Sequence, residues 1–378
     1  MVTYNIACIP GDGIGPEVIA EGRKVLDAVS EAEGFEVNWV DYNFGAERYL
    51  REGTLVSEEE LKELSNFKAI YFGAVGDPRV RPGILERGII LKLRWYFDQY
   101  VNLRPVRLLN GVSSALRSKT PAHINFVCVR ENTEDMYSGL GSSVVRSAKA
   151  SMVMSRSKYQ VKFDVDASMI GGDESFAYEL GVITRLGAER VIKYAFNYAQ
   201  NNGLRRVASV DKANVMTNIY SIWRDVFEST AKMYPQIQTE ELYVDAAAML
   251  FVREPERFQV VVLPNLFGDI LTDLGAAIQG GMGLAPSANI NPEGTSMFEP
   301  IHGSAPPLAG KKVANPIAAI LAGGMMLDHL GRREAYNSVA RAVERVLVDG
   351  RVRTPDLGGS STTSEVGDAV VKELLSRV

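Results

Sequence analysis

Two aspartates, Asp269 and Asp273, stand four residues apart in the segment PNLFGDILTDLGAAIQGGMG, from Pro264 to Gly283. From about Phe267 the apolar residues Ile270, Leu271, Leu274, Ala277 and Ile278 recur at helical spacing, which sets both carboxylates on one face of a helix. Like charges that close repel unless a cation lies between them, so the pair suits the holding of a hard divalent ion. The plainer reading is a solvated polar face, since acidic pairs on helices are common. Partners elsewhere in the chain decide between the two.

Asp245 is the candidate third oxygen ligand, because it too stands where a strand, 242–244, gives way to a helix. Three arginines are placed to grip carboxylates with their planar forks. Arg94 lies on a helix between Gly83 and Arg107, Arg104 is held extended by the proline after it, and Arg130 lies just beyond the strand 124–129. One by one they also read as surface arginines. Tyr137, in RENTEDMYSG, reads alone as an amphipathic packing residue. Lys212, at the mouth of the strand 206–210, is a base if metal or burial lowers its pKa, and otherwise a snorkelling surface lysine.

The elements that must carry these side chains alternate. Short, continuously apolar runs at 4–9, 69–72, 124–129, 206–210 and 258–263 suit buried parallel strands, and 35–39 alternates as a further strand. Amphipathic segments between them predict helices to about Gly34, over 174–202 and 217–234, and near 316–330, 332–349 and 362–377; SEEE at 57–60 is a capping box. The whole reads as an α/β fold with a mostly parallel sheet. Pro10–Glu17, PGDGIGPE, invites a dinucleotide-fold reading, but its spacing is G-x-G-x-G-P rather than G-x-G-x-x-G. Residues 142–172 show irregular extended pieces, an arm able to pair with something, and the Pro- and Gly-dense stretches 285–294 and 298–310 read as rigid irregular loops.

Composition narrows the function. The 378 residues are 46% hydrophobic, ample for one large or two medium domains, and the net charge of -5 carries no basic block. Nucleic acid and anionic membrane are thereby poor principal partners, and a small molecule is the better one. Cys8 and Cys128 both lie in apolar runs, as buried free thiols do, which points to a reducing cytoplasm. Neither a leader nor an apolar run long enough to span a bilayer is present in the sequence.

Taken in order, GDGIGPE, LRPVR, VRENTE, DKANVM, NLFGDILTD, EPIHGSAP and ANP resemble the metal-dependent β-decarboxylating dehydrogenases, the isopropylmalate, isocitrate, homoisocitrate and tartrate/D-malate group. The resemblance implies a two-domain α/β fold with a large mixed sheet running through both domains, not a Rossmann fold. Residues 1–104 plus 280–378 would form a discontinuous dinucleotide-binding domain, and 105–279 a dimerisation and metal/substrate domain. It implies NAD and Mg²⁺ or Mn²⁺ as cofactors, a 2-hydroxy dicarboxylate as substrate, and a homodimer or higher homo-oligomer with shared active sites. Arg94, Arg104 and Arg130 match the substrate clamps, and Tyr137 and Lys212 the acid/base pair. Asp245, Asp269 and Asp273 match the metal ligands, with Lys212 and Asp245 coming from the partner subunit. Glu299, His302, Gly303, Ser304, Ala305 and Asn315 match positions that hold the dinucleotide, and Ile90 and Leu91 positions beside the substrate's C3 substituent.

Two aliphatic residues there favour 3-isopropylmalate, a step of leucine biosynthesis. FDQYVNLRPVRL and APSANINPEG resemble the tartrate/D-malate branch instead, with homoisocitrate and isocitrate dehydrogenases as further alternatives. A noncatalytic regulatory subunit is the rival of another class, but such subunits lack part of the Tyr, Lys and Asp set that is complete here. The segment between Tyr137 and Lys212 is longer than in typical members. Pro307 stands where NAD-using members carry an Asp.

Overall fold

The computed structural model describes residues 2–172 and 174–376. Strands and helices alternate from the start: β1 (Val2–Gly11), α1 (Gly15–Ala32), β2 (Phe35–Asp41), α2 (Ala46–Glu52), α3 (Glu58–Leu64) and β3 (Ala69–Ala74). A π-helical turn, Glu86–Leu91, runs into α4 (Lys92–Tyr96), followed by β4 (Val101–Arg107) and β5 (Asn125–Glu131). Four exposed strands come next, β6 (Gly141–Val145), β7 (Ser147–Ser155), β8 (Gln160–Ser168) and β9 (Ser175–Glu179). Then come α5 (Arg185–Asn201), β10 (Arg206–Asp211), α6 (Thr217–Ala231), β11 (Gln238–Tyr243), α7 (Val244–Arg253), β12 (Val260–Leu263) and α8 (Asn265–Ile278). The chain closes with β13 (Pro286–Ile290), β14 (Ser296–Pro300), α9 (Ile317–His329), α10 (Arg333–Asp349) and α11 (Thr363–Leu375).

Ten strands form one mixed sheet in the order β11-β10-β12-β5-β4-β13-β14-β3-β1-β2. The outer strands pair in parallel on both sides, and the three central pairings, β5 with β4, β4 with β13 and β13 with β14, are antiparallel. Because side chains alternate across a strand, each strand serves both faces. Ile6, Tyr71, Val129 and Val262 face one continuous core under α1, α5, α6, α9, α10 and α11. On the opposite face the core is broken in two. Ile9, Phe72 and Met297 pack beneath α3 and the π turn, whereas Phe126, Cys128 and Leu263 pack beneath α7 and α8. Between those clusters, on β4, β13 and β14, that face carries Asn102, Arg104, Ser287, Asn289 and Glu299, all buried.

Four expectations need correcting. The predicted helix over 174–202 begins only at Arg185, capped by Thr184, whose side chain accepts from the Gly187 amide; the preceding SFAYE alternates and pairs as β9 with β6. The stretches read as irregular loops contain β13 and β14, two strands at the centre of the sheet, whose prolines Pro286 and Pro300 sit at the strand ends. The first C-terminal helix is not amphipathic, since Ile317 to Leu327 are buried on every side. The irregular arm is two ribbons, β6 with β9 and β7 with β8. Cys8 and Cys128 are buried free thiols as expected, and burial pushes both up to about 12. No helix among the described residues is long and apolar enough to cross a membrane.

The glycine-rich turn after β1 is a packing device. Gly13 has φ +62, and a Cβ there would lie 1.9 Å from the Ser304 carbonyl oxygen, which accepts the Ile14 amide at 2.9 Å. The turn thus pins the 302–305 loop by backbone contact. Gly34 has a similar φ of +72 but open space around it. Gly34→Ala should therefore cost only the backbone strain, about 1 kcal/mol, and Gly13→Ala clearly more, because the loop must also move. Chemical denaturation of the two variants checks this; equal losses would rule out the packing role.

Candidate active site

The site is built on one face of α8. Asn265, Gly268, Asp269, Thr272 and Asp273 follow one another at helical spacing, and a Cβ on Gly268 would come within 2.5 Å of the Arg130 side chain. Only glycine lets Arg130, from the end of β5, lie across the helix. Its Nε donates to the Asn265 carbonyl at 2.9 Å, its Nη2 to Asn265 Oδ1 at 2.7 Å, and its Nη1 to Asp269 Oδ1. The Tyr137 hydroxyl donates to Asp269 Oδ2 at 2.7 Å. Arg104 Nη1 donates to Thr272 Oγ1 at 2.6 Å and lies 3.6 Å from Asp269 and 3.8 Å from Asp273. Arg94 reaches the same region from α4, donating to Glu299 Oε1 at 3.0 Å, and Asn289 Nδ2 donates to that oxygen at 2.7 Å. The three arginines, Tyr137, Asp269 and Asp273 therefore converge.

Asn265, Gly268 and Thr272 were missed by the sequence reading, although they share the helical spacing of the two aspartates and could have been found as one polar stripe. Asn102, Asn132 and Asn289 had no local signal. Asn102 on β4 and Asn132, just past the end of β5, each donate to Asn289 Oδ1 on β13 at 3.0 Å, an amide ladder that exists only once the sheet is assembled.

Lys212 and Asp245 stand apart from this cluster. They pair with each other at 2.5 Å, the aspartate two-thirds exposed. Among the described residues no group of three or more His, Cys, Asp or Glu is placed to hold a metal. Ile90 packs against the core beneath the π turn, and Leu91 is half-buried. Neither lines the neighbouring cleft of about 870 Å³, which is bounded by Arg81, Ile84, Arg87, Tyr178 and Glu179.

Comparison with known proteins settles the family. The description "Isocitrate/isopropylmalate dehydrogenase" matches residues 5–370. This chain belongs to that family. A 3-isopropylmalate dehydrogenase of Thermobifida fusca is 44% identical, covering 98% of both chains. A D-malate dehydrogenase (decarboxylating) of Escherichia coli is 43% identical and covers 99% of both. The crystal structure of an isocitrate dehydrogenase from Methylococcus capsulatus superposes with a TM-score of 0.84 at 34% identity, over 98% of this chain and 99% of that one. The shared fold of that solved structure bears out the expected α/β fold with a large mixed sheet, which is not a Rossmann fold.

The electrostatics of the isocitrate/isopropylmalate dehydrogenase site follow from crowding. Burial tends to raise the Asp269 carboxyl, but Arg130, Arg104 and the Tyr137 hydroxyl outweigh it and hold the group down at about 2. Burial and the Arg130 charge bring Arg104 down to about 10. Asp273, with burial dominant, is pushed up, and Tyr137 is raised by burial and by Asp269, so its proton stays on at neutral pH. Asp269 and Asp273 offer the hard oxygen donors that suit a divalent cation, and Asp245 would complete such a set only from a second copy. In the 302–305 loop, His302 Nε2 is buried without a partner and Gly303 is open where a Cβ would be, so hydrogen-bonding capacity and room remain for a dinucleotide. Asn315 is already engaged, donating to Asp356 at 3.0 Å and accepting the Ile317 amide at 3.0 Å. Glu299 is likewise turned to the arginine cluster rather than to that loop.

Asp269→Asn leaves Arg130 and Arg104 facing each other without their shared counter-charge. We expect the fold to survive with a stability loss on the order of 1 kcal/mol, discounted because Asp269 is 38% exposed. A carboxyl held below its ordinary value contributes stability above that value and loses it as pH falls through the lowered one. The wild-type advantage should therefore be full above about pH 4 and shrink toward pH 2, as measured by denaturant unfolding at stepped pH. A pH-independent difference contradicts the pairing.

Proposed function

We propose that this protein catalyses the NAD- and divalent-metal-dependent oxidative decarboxylation of a 2-hydroxy dicarboxylic acid, with 3-isopropylmalate as the substrate. One observation carries the reading. Arg94 Nε and Arg104 Nε are buried without hydrogen-bond partners beside a third buried arginine, and unpaired guanidinium donors in such a place call for an anionic ligand.

In this reading Arg94, Arg104 and Arg130 grip the two carboxylates and orient C2 and C3. Asp269 and Asp273, with Asp245 from a second copy, hold the cation. Bound there, Mg²⁺ or Mn²⁺ supplies the Lewis acidity that makes the 2-hydroxyl acidic and stabilises the negative charge that develops as CO₂ leaves. NAD⁺, held by the 302–305 loop and Asn315, supplies the hydride acceptor. Lys212 of the second copy takes the 2-hydroxyl proton, and Tyr137, which keeps its own proton at neutral pH, delivers that proton to C3. Pro306–Leu308 forms a tight turn that offers no cation to a 2′-phosphate, which favours NAD⁺ over NADP⁺. The division into 1–104 plus 280–378 and 105–279 is part of this proposal. It matches the broken core, since one cluster draws on residues 7–97 and Met297 and the other on 106–278.

A homodimer with shared sites accounts for the separation of Lys212 and Asp245 from Asp269. Met249 and Val252 on α7 and Ile270 on α8 are exposed apolar side chains close to the site, a surface that a second copy would cover. When inactive Lys212→Ala and Asp269→Asn proteins are mixed under conditions of subunit exchange, one site per hybrid carries neither lesion, and activity should return. No recovery despite proven exchange counts against sharing.

For the substrate, an isopropyl group against Ile90 and Leu91 gains roughly 1.5–3 kcal/mol of transfer free energy. D-malate or tartrate is the second reading, favoured by Arg87, which lines the adjacent cleft and lies 3.8 Å from Glu179, a polar lining that an apolar substituent does not need. The test is NAD⁺ reduction with 3-isopropylmalate, D-malate, tartrate, isocitrate and homoisocitrate, with and without EDTA. The primary reading requires EDTA-sensitive turnover, NAD⁺ above NADP⁺, and a preference for isopropylmalate that shrinks in Leu91→Ala. A preference for D-malate unchanged by that substitution selects the second reading, and inertness toward the whole panel sinks both.

A further inference from the structure

The β7–β8 ribbon stands off the molecule along most of its length, with side chains on both faces exposed or half-exposed. Its tip does not. Met154 is buried at 1% with Leu140 and Val182, and after it Arg156, Ser157 and Tyr159 reach buried polar groups of the body. Arg156 Nε donates to the Thr133 carbonyl at 2.6 Å, and its guanidinium lies 5.1 Å from the centre of the Trp95 ring. Ser157 Oγ donates to Asp98 Oδ2 at 2.6 Å, and the Tyr159 hydroxyl meets the Glu134 carboxylate.

Trp95 and Asp98 belong to the turn that ends α4. Asp98 is in the left-handed region, φ 47, a conformation that costs a non-glycine residue about 1–2 kcal/mol and persists only where its surroundings hold it. Arg190 and the ribbon-tip Ser157 hold it. Arg190 Nη1 donates to Asp98 Oδ2 at 2.7 Å, and Arg190 Nη2 to Thr133 Oγ1 at 3.0 Å. Within the turn the Gln99 amide donates to the Arg94 carbonyl at 2.9 Å. Arg94 is therefore fixed at its backbone by a turn that the ribbon tip grips from outside. A restraint is needed there, because Arg94, Arg104 and Arg130 are like charges gathered in one buried site.

We propose that Arg156 and Ser157 are positioning residues for Arg94: the ribbon tip clamps the Trp95–Asp98 turn onto Thr133 and so holds Arg94 where it meets the substrate carboxylate. This rests on the reading of Arg94 as a carboxylate clamp. Arg156 touches neither substrate nor cofactor in this scheme and acts through the turn.

The test uses Arg156→Ala, Ser157→Ala and the conservative Arg156→Lys, with Lys149→Ala, an exposed ion-paired residue in the ribbon body, as control. Arg156→Ala should raise KM for the dicarboxylate about tenfold with kcat and the KM for NAD⁺ little changed, since ground-state gripping is what is lost. Trp95 should become more accessible to acrylamide quenching. Arg156→Lys should restore most of the KM, and Lys149→Ala should match the wild type. An unchanged dicarboxylate KM in a folded Arg156→Ala protein, or a fall in kcat alone, overturns the proposal. Where Arg156→Ala does not fold, Ser157→Ala carries the same criteria at a smaller effect. A wild type inert toward every dicarboxylate is a failure of the functional reading instead; the clamp is then judged by Trp95 quenching, which must rise in Arg156→Ala for it to stand.

Discussion

Three guanidinium groups buried in the middle of one sheet face are the constraint on which this structure turns. Arg130 is 1% exposed at its side chain, Arg104 6% and Arg94 8%, and charges taken so far from water are tolerable only with counter-charge and hydrogen bonds placed around them. Asp269 and Glu299 supply the charge. Asn265 and Thr272 supply acceptors, and the Asn289 amide buttresses Glu299. The apolar core on that face gives way to make room, which is why Phe72 and Met297 belong to one cluster and Phe126 and Leu263 to another.

The opposite face shows what makes the gap affordable. There the same strands present Leu103, Ala288 and Phe298 to a core that is continuous from α1 to α6, so the sheet is held together from behind. The antiparallel strands β4 and β13, which join the two parallel blocks at the change of strand order, carry the buried polar residues that separate the two half-cores.

The chemistry is also divided by distance along the surface. Tyr137, Asp269 and the arginines share one cluster; Lys212 and Asp245 pair with each other outside it, at the ends of β10 and β11. The exposed apolar side chains of α7 and α8, Met249, Val252 and Ile270, mark the surface that the second copy of the proposed dimer would cover.

Much of this was legible in the residues. Continuous β-branched runs marked the parallel strands, because a strand buried on both faces has no polar positions. Asp269 and Asp273 marked their helix face, and the ordered motifs marked the family. What failed had specific causes. The segment 174–202 carries helix-forming residues on both sides of Thr184, and only pairing with β6 makes its first part a strand. β13 and β14 hide among prolines and asparagines because their inward positions are filled by an amide ladder and an ion pair instead of by apolar side chains. Local periodicity reports which atoms avoid water; it carries no record of which buried polar atoms will find one another. The pairing of Arg94 with Glu299, 205 residues apart, and the grip of Arg156 on Trp95 were therefore decided by the tertiary structure alone.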